Sequence, residues 1–160
     1  MSKRNWLAAL AAVLAAVAVG AQTVTVSKLD ESTFRYAMSE ERRRIFAANM
    51  ALGPEETVRF WNIYDEYAKE REALDKDRFA FLQRYAQSYA GLSDDQAMAI
   101  ALTSGRLQIQ DVQLRLKYTE TLRRKMSGRL AARFFQIDDY VTLNLRMNML
   151  SGIPLVAPPQ

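Results

Sequence analysis

Hydrophobic side chains recur at helical spacing along most of this chain, from about residue 39 to residue 151. In one long stretch, large apolar side chains return every seven residues, at Phe60, Tyr67, Leu74 and Phe81. A recurrence of seven is typical of a helix that packs along a neighbouring helix for many turns. A later stretch repeats at spacings of four, three, four and four, through Leu130, Phe134, Ile137, Val141 and Leu145. The pattern therefore predicts an all-α protein.

The boundaries of the central helices are marked by residues with known positional preferences. Pro54 suits the first position of a helix, because its missing N–H has no partner there. We expect this helix to run to about residue 90, where Gly91 fits the left-handed conformation that ends helices. Ser93 and Gln96 have the spacing of a capping box, which predicts the start of the next helix. So short a connection predicts a long antiparallel helical hairpin.

Shorter helices are predicted on both sides of this hairpin. Ser39 is a candidate N-cap for the first helix, which leaves residues 22–38 as a flexible N-terminal arm. Ser127 and Gly128 separate the third helix from the fourth, and Gly105 is expected to be tolerated within the third helix without a kink. One side of the third helix carries Ile109, Val112 and Leu116, and beside it lie Ile100, Leu107 and Leu114. The helical domain covers residues 39–151, and residues 152–160 are predicted to form an extended tail.

The first 21 residues have the features of a cleavable export signal. Lys3 and Arg4 precede an apolar stretch of about 14 residues, and small residues stand before a possible cut at Gln22. A transmembrane anchor is the alternative, but a helix that spans a bilayer needs about 20 apolar residues. We therefore expect a periplasmic protein. The absence of Cys near the cut argues against a lipid anchor.

Composition removes several classes of function. Without Lys3 and Arg4 the chain keeps 20 basic residues against 18 acidic ones, too small an excess for a nucleic-acid footprint. Neither His nor Cys occurs, which removes the commonest general base, the usual transition-metal ligands and any disulfide. No phosphate-binding, dinucleotide-binding or nucleophile motif is present. We expect no enzyme activity, no cofactor and no metal site.

Two pairs of adjacent carboxylates are candidates for acid–base catalysis or metal binding. Asp94 and Asp95 lie in the first turn of a predicted helix, where the helix dipole favours anions. Asp138 and Asp139 lie within the last helix and diverge by about 100°, so they do not converge on one metal. A solvated face or an ion pair with an Arg is the favoured interpretation of this pair. Calcium binding is the alternative, and it needs further oxygen ligands.

The charge pattern between residues 115 and 133 is strongly basic, with Glu120 as the sole acidic residue. Such a run can form a face that attracts acidic clients, partners or anionic lipid headgroups, or it can be a solvated flank that balances the acidic second helix. The aromatic residues of the second helix are expected to pack in a core or a dimer. The candidate partner-binding residues are Arg115, Lys117, Arg123, Arg124, Lys125, Arg129 and Arg133.

The capping sequence Leu92-Ser93-Asp94-Asp95-Gln96 resembles the L-T-x-x-Q motif of the Spy/CpxP family of periplasmic proteins. Residues 52–56 (LGPEE) look like a degraded earlier copy, and residues 131–138 (AARFFQID) are similar to a recurring C-terminal pattern of such sequences. The resemblance covers about residues 39–150. Leu92, Ser93 and Gln96 are its motif residues in this chain.

The resemblance implies a cradle-shaped antiparallel dimer that holds unfolded periplasmic proteins without ATP. Some members instead dampen a membrane-bound sensor of envelope stress. Metal-sensing relatives use His ligands, and this chain has none. The prediction is a homodimeric, chaperone-like protein-binding module of the envelope stress response. The alternative is a regulator that binds a membrane sensor or an anti-sigma factor.

Overall fold

The computed structural model describes residues 31–150 and 155–156, with side chains from residue 38 onward except those of residues 148 and 149. Every regular element in these residues is helical, and no strand occurs among them, which confirms the all-α prediction. The four α-helices are α1 (Glu31–Asn49), α2 (Pro54–Ser88), α3 (Asp94–Lys125) and α4 (Gly128–Leu150). A 3₁₀ turn, Tyr89–Gly91, follows α2.

Some predictions fall on residues that the structure does not describe. The export signal at residues 1–21 and the first part of the arm, residues 22–30, lie outside the described range. Of the predicted tail, residues 155 and 156 alone are described, and they have no regular secondary structure.

The first helix begins eight residues earlier than the sequence predicted. Residues 31–38 were assigned to the flexible arm, but they form the first two turns of α1. Ser39 is therefore an interior residue and not the N-cap. The physical reason is that residues 31–38 contain no Gly or Pro, so nothing in them interrupts the helix.

The prediction for Gly91 was wrong in its backbone conformation. The chain leaves α2 by tightening into the 3₁₀ turn, and Gly91 does not adopt a left-handed φ. Among the described residues, the non-glycine residue with a positive φ is instead Ala51, at 54°, just after α1. A 3₁₀ turn can satisfy the last carbonyls of a helix, so no left-handed residue is needed there.

The helices contact one another in a ring around one core. Helix α1 packs on α2 and α4, and α3 packs on α2 and α4. Aromatic rings fill the centre, with Phe46 and Tyr67 each 5.2 Å from Phe134 and Tyr67 5.4 Å from Tyr118 between ring centroids. Rings at these separations add to the burial of large apolar area.

The aromatic excess of α2 is explained by this core. The buried aromatic residues of the helix are Phe60, Tyr64, Tyr67, Phe79, Phe81 and Tyr85. Trp61 is half-buried, and the guanidinium of Arg43 lies 4.4 Å from the centre of its ring. Tyr89, in the 3₁₀ turn that follows the helix, is exposed. Of the two interpretations, a core or a dimer, packing in the core is confirmed.

Candidate functional site

A carboxylate from α4 lies at the centre of the molecule, among charged side chains. Asp138 has no exposed surface, and its two oxygens bind Arg42 at 2.6 Å and Arg115 at 2.8 Å. The hydroxyl of Tyr67 also donates a hydrogen bond to it, and Arg42 reaches the Thr142 hydroxyl at 3.4 Å. The ion-pair interpretation of the Asp138–Asp139 sequence is confirmed, and its partners come from α1 and α3.

The surroundings of Asp138 keep it ionised. Burial alone would raise the pKa of this carboxyl, but the charges of Arg42 and Arg71 and the hydrogen bonds from Arg115 and Tyr67 hold it below its ordinary value. Burial and the nearby Asp138 charge raise the pKa of Tyr67 well above its usual range. General acid–base work near neutral pH needs a group that changes protonation there, and these two groups do not.

A second buried ionic cluster joins α2 to α3. Asp111 on α3 forms ion pairs with Arg71 and, at 2.9 Å, with Arg78. Arg71 also reaches Asp75 at 3.2 Å, one turn along α2. The cluster holds two cations against two carboxylates, so its charges balance. Among the described residues, no three acidic side chains converge on a position that could hold a metal ion.

The structure divides the predicted basic run into two groups. Arg115 is 5% exposed and bridges Asp138 and Asp139, so its inclusion in an exposed binding face was wrong. Lys117 is exposed, and its ammonium lies 2.6 Å from Glu70 of α2. These two residues connect helices, and their partners could not be predicted from local sequence patterns because the pairs span 23 to 47 residues.

The other five cations lie together where α3 ends and α4 begins. This group, called the basic end here, consists of Arg123, Arg124, Lys125, Arg129 and Arg133. Arg123 pairs with Glu120 at 2.9 Å on its own helix, and Arg133 donates to the main-chain carbonyl of Asn49. Within the described part of the chain, Arg124, Lys125 and Arg129 are exposed and form no ion pair.

The motif residues act as helix caps. The Ser93 hydroxyl accepts a hydrogen bond from the Gln96 N–H at 3.3 Å, and the Gln96 side chain accepts one from the Ser93 N–H at 2.9 Å. This confirms the capping box. At the earlier copy, Gly53 has nearly the same backbone angles, and its N–H donates to the Glu56 carboxylate at 2.9 Å. One of the two side-chain hydrogen bonds of a capping box is therefore present there, and Gly53 has no side chain to form the other.

The outward side of α3 carries an apolar stripe that no described residue covers. The side chains of Met98, Leu102, Ile109, Val112 and Leu116 are exposed, and Ile109 is 58% exposed. With Gly105 they follow spacings of four, three, four, three and four residues; these six positions are called the outer stripe here. The core side of α3 is formed by Leu107 and Leu114 instead. The sequence showed both apolar sides, but it did not show which one faces the core.

Helix α4 has a smaller exposed apolar patch. It consists of Leu143, Met147 and Leu150, called the α4 patch here. Ser104 and Leu107 of α3 line a small cavity together with Arg146 and Leu150 of α4, so this end of α4 lies beside the middle of α3. Of the twelve large hydrophobic side chains exposed among the described residues, eight belong to the outer stripe or the α4 patch. Uncovered apolar surface is therefore concentrated on two neighbouring helices.

The comparisons give this chain no relative. None of the known protein-family models, curated proteins or solved structures that were compared with the chain matches it. None of the described helices combines the length and the apolar character needed to cross a bilayer.

Proposed function

We propose that this chain is a protein-binding module of the bacterial envelope that holds unfolded polypeptides without ATP and performs no catalysis. The observation that carries this proposal is the apolar surface on α3 and α4, where eight large hydrophobic side chains stand exposed. Concentrated apolar surface marks contact sites for other proteins, whereas isolated exposed hydrophobic residues do not. The buried ionic clusters support the fold, and their charges are already paired.

The outer stripe has the properties of a contact between two copies of the same helix. Its spacing of four and three residues is that of a coiled-coil seam. The helix is also poor in charge around the stripe: between Gln96 and Leu114 the charged residues are Arg106 and the buried Asp111. Depletion of charge distinguishes the centres of protein interfaces from the rest of the surface. We therefore propose a homodimer.

The positions of the stripe also suit an antiparallel pairing centred on residue 107. In that register Met98 meets Leu116 of the second copy, and Leu102 meets Val112. Gly105 meets Ile109, so a branched side chain fits where the facing residue has none. The fold that supports this arrangement is a long hairpin of α2 and α3, which is consistent with contacts of Tyr67 with Tyr118 and of Arg71 with Asp111.

The homodimer is tested by the mass of the protein in solution. We expect wild-type protein to have twice the mass of one chain and the Leu102→Gln/Ile109→Gln variant to have the mass of one chain. Val58→Gln, at an exposed apolar position on α2, is the matched control and leaves the dimer intact. A wild-type monomer at micromolar concentration would rule out this assignment of the stripe.

The α4 patch is then the surface left for clients. Leu143, Met147 and Leu150 are all exposed, and the exposed Leu155 follows in the chain. Aggregation of a denatured client, followed by light scattering, tests the proposal. We expect stoichiometric wild-type protein to suppress aggregation and Leu143→Gln/Met147→Gln to lose most of that effect. The Val58→Gln variant keeps it. No suppression by wild-type protein would overturn client holding, whatever the oligomeric state.

Location and the regulatory alternative have tests of their own. If residues 1–21 are an export signal, the protein recovered from the envelope begins at Gln22, which N-terminal sequencing measures. A regulator that binds one membrane sensor remains the second candidate. The α4 patch suits it as well, because exposed apolar side chains also mark the contact site of a single partner. Recovery of one dominant sensor protein from envelope extract, without suppression of aggregation, would favour the regulator.

A further inference from the structure

The two ends of the molecule differ in charge. Between residues 121 and 137 the chain has the five cations of the basic end and no carboxylate. Between residues 85 and 105, around the α2–α3 connection, it has Asp94 and Asp95 and no cation. Because Arg133 bonds to the carbonyl of Asn49, the basic end also adjoins the end of α1. Positive charge is thus gathered at one end of the described molecule.

Helix stability explains some of these cations and not others. Arg123, Arg124 and Lys125 occupy the last turn of α3, where cations interact favourably with the helix dipole. Arg129 lies in the first turn of α4, which contains no acidic residue, and Arg133 follows about one turn later. The dipole disfavours a cation at the start of a helix. The helix dipole therefore does not account for Arg129 at this position.

Of the carboxylates near this end, Glu55 is exposed and forms no ion pair with a described cation, and Glu56 and Glu120 are engaged elsewhere. Glu120 pairs with Arg123 through an exposed contact of the kind that contributes little. Glu56 is engaged as the cap of Gly53. Arg124, Lys125 and Arg129 remain exposed, and no described carboxylate pairs with them.

The surroundings of the cations indicate what kind of partner they suit. Between Leu116 and Leu143, no large hydrophobic side chain of the described structure is exposed. Stable protein interfaces depend on clusters of apolar and aromatic anchors, and residues 117–142 expose none. Clusters of four to eight cations suffice for attachment to anionic lipid headgroups. We propose that the basic end docks the protein on an anionic membrane surface. This docking is separate from the protein binding proposed for α3 and α4.

Vesicle co-sedimentation tests this inference. Protein expressed from residues 1–160 is mixed with vesicles of phosphatidylcholine alone or with 30% phosphatidylglycerol. We expect binding that requires phosphatidylglycerol and is lost in 0.5 M salt, because screening shortens the reach of exposed charges. The Arg124→Gln/Lys125→Gln/Arg129→Gln variant should bind at least tenfold more weakly, since each cation near an anionic surface contributes about fivefold.

A matched variant separates this site from the effect of net charge. Lys69→Gln/Lys76→Gln/Arg84→Gln removes three exposed cations from α2 and should bind like wild type. Circular dichroism checks that both variants stay helical. Equal weakening of both variants would show a general charge effect and overturn the assignment. Failure of phosphatidylglycerol to increase binding would overturn it as well. Displacement of the vesicles by an acidic protein added at equal charge would also do so.

Discussion

At the scale of single residues, the centre of this protein is held by ionised groups and not by apolar contacts alone. Asp138 is fully buried, and its charge is matched by Arg42 and Arg115 from two other helices. A buried pair gains little over an apolar pair of the same shape, but loss of one partner leaves an uncompensated charge. The cluster therefore links α1, α3 and α4 through charges that depend on one another.

Removal of the central carboxylate should be severe. We expect Asp138→Asn to lower the free energy of unfolding by about 3–5 kcal/mol, because Arg42 and Arg115 stay buried without their partner. Denaturant unfolding followed by circular dichroism measures this. Asp139→Asn is the control: that side chain is 58% exposed, and its loss should cost less than about 1 kcal/mol. Equal effects of the two changes would contradict a central role for Asp138.

The same residue should make the protein sensitive to acid. Its pKa is lower in the folded protein than in the unfolded chain, so its contribution to stability is present above about pH 4 and is lost as pH falls through the folded pKa. Unfolding curves between pH 7 and pH 2.5 should show stability falling below about pH 4. The Asp138→Asn variant should show a shallower fall. A wild-type protein whose stability does not change in this range would refute the assignment.

A single strained residue offers a gain in stability. Ala51 has a φ of 54°, a conformation that costs an L-residue roughly 1 kcal/mol and costs glycine little. Ala51→Gly should therefore stabilise the protein by about 0.5–1 kcal/mol in denaturant unfolding. Ala90→Gly, at an exposed position without a positive φ, serves as the control and should give no gain.

At the scale of helices, the sequence predicted the starts of α2, α3 and α4 from local chemistry. Pro54, the Ser93–Gln96 box and the break at Ser127 and Gly128 stand where the structure has them. The start of α1 was missed, because no breaker residue marks it. Ion-pair partners were also beyond sequence reasoning, since pairs such as Arg42 with Asp138 join residues 96 positions apart. Capping and helix-breaking residues act within about one helix turn, whereas the partners of long-range ion pairs are decided by tertiary packing.

The Ser93 cap of α3 should contribute measurably to the free energy of unfolding. Ser93→Ala removes the hydroxyl that accepts from the Gln96 N–H, and we expect a loss of about 1 kcal/mol in unfolding free energy. Ser88→Ala is a useful comparison, because that hydroxyl bonds to the Arg84 carbonyl inside α2 and caps nothing. Its loss should change stability by less than about 0.5 kcal/mol. A larger loss of stability from Ser88→Ala than from Ser93→Ala would show that the Ser93 cap does not stabilise α3.

At the scale of the whole molecule, α3 has two apolar sides, of which one packs in the core and the other is exposed. Leu107 and Leu114 complete the core, and the outer stripe stands on the opposite side with no described residue over it. Periodicity revealed both sides, but burial depends on neighbours that the sequence does not specify. The predicted basic face is split for the same reason. Arg115 is buried against Asp138, whereas the residues of the basic end are exposed. Pairing of two copies through the outer stripe of α3 is therefore the central structural claim.

The most direct test of that claim is disulfide formation between two copies, since the chain contains no Cys of its own. Leu102→Cys/Val112→Cys places thiols at positions that face each other in the proposed antiparallel pairing. We predict a covalent dimer from the double variant under mild oxidation and little from Leu102→Cys or Val112→Cys alone. Efficient linkage of the single variants would contradict the antiparallel register, and absence of linkage in the double variant would contradict pairing through α3.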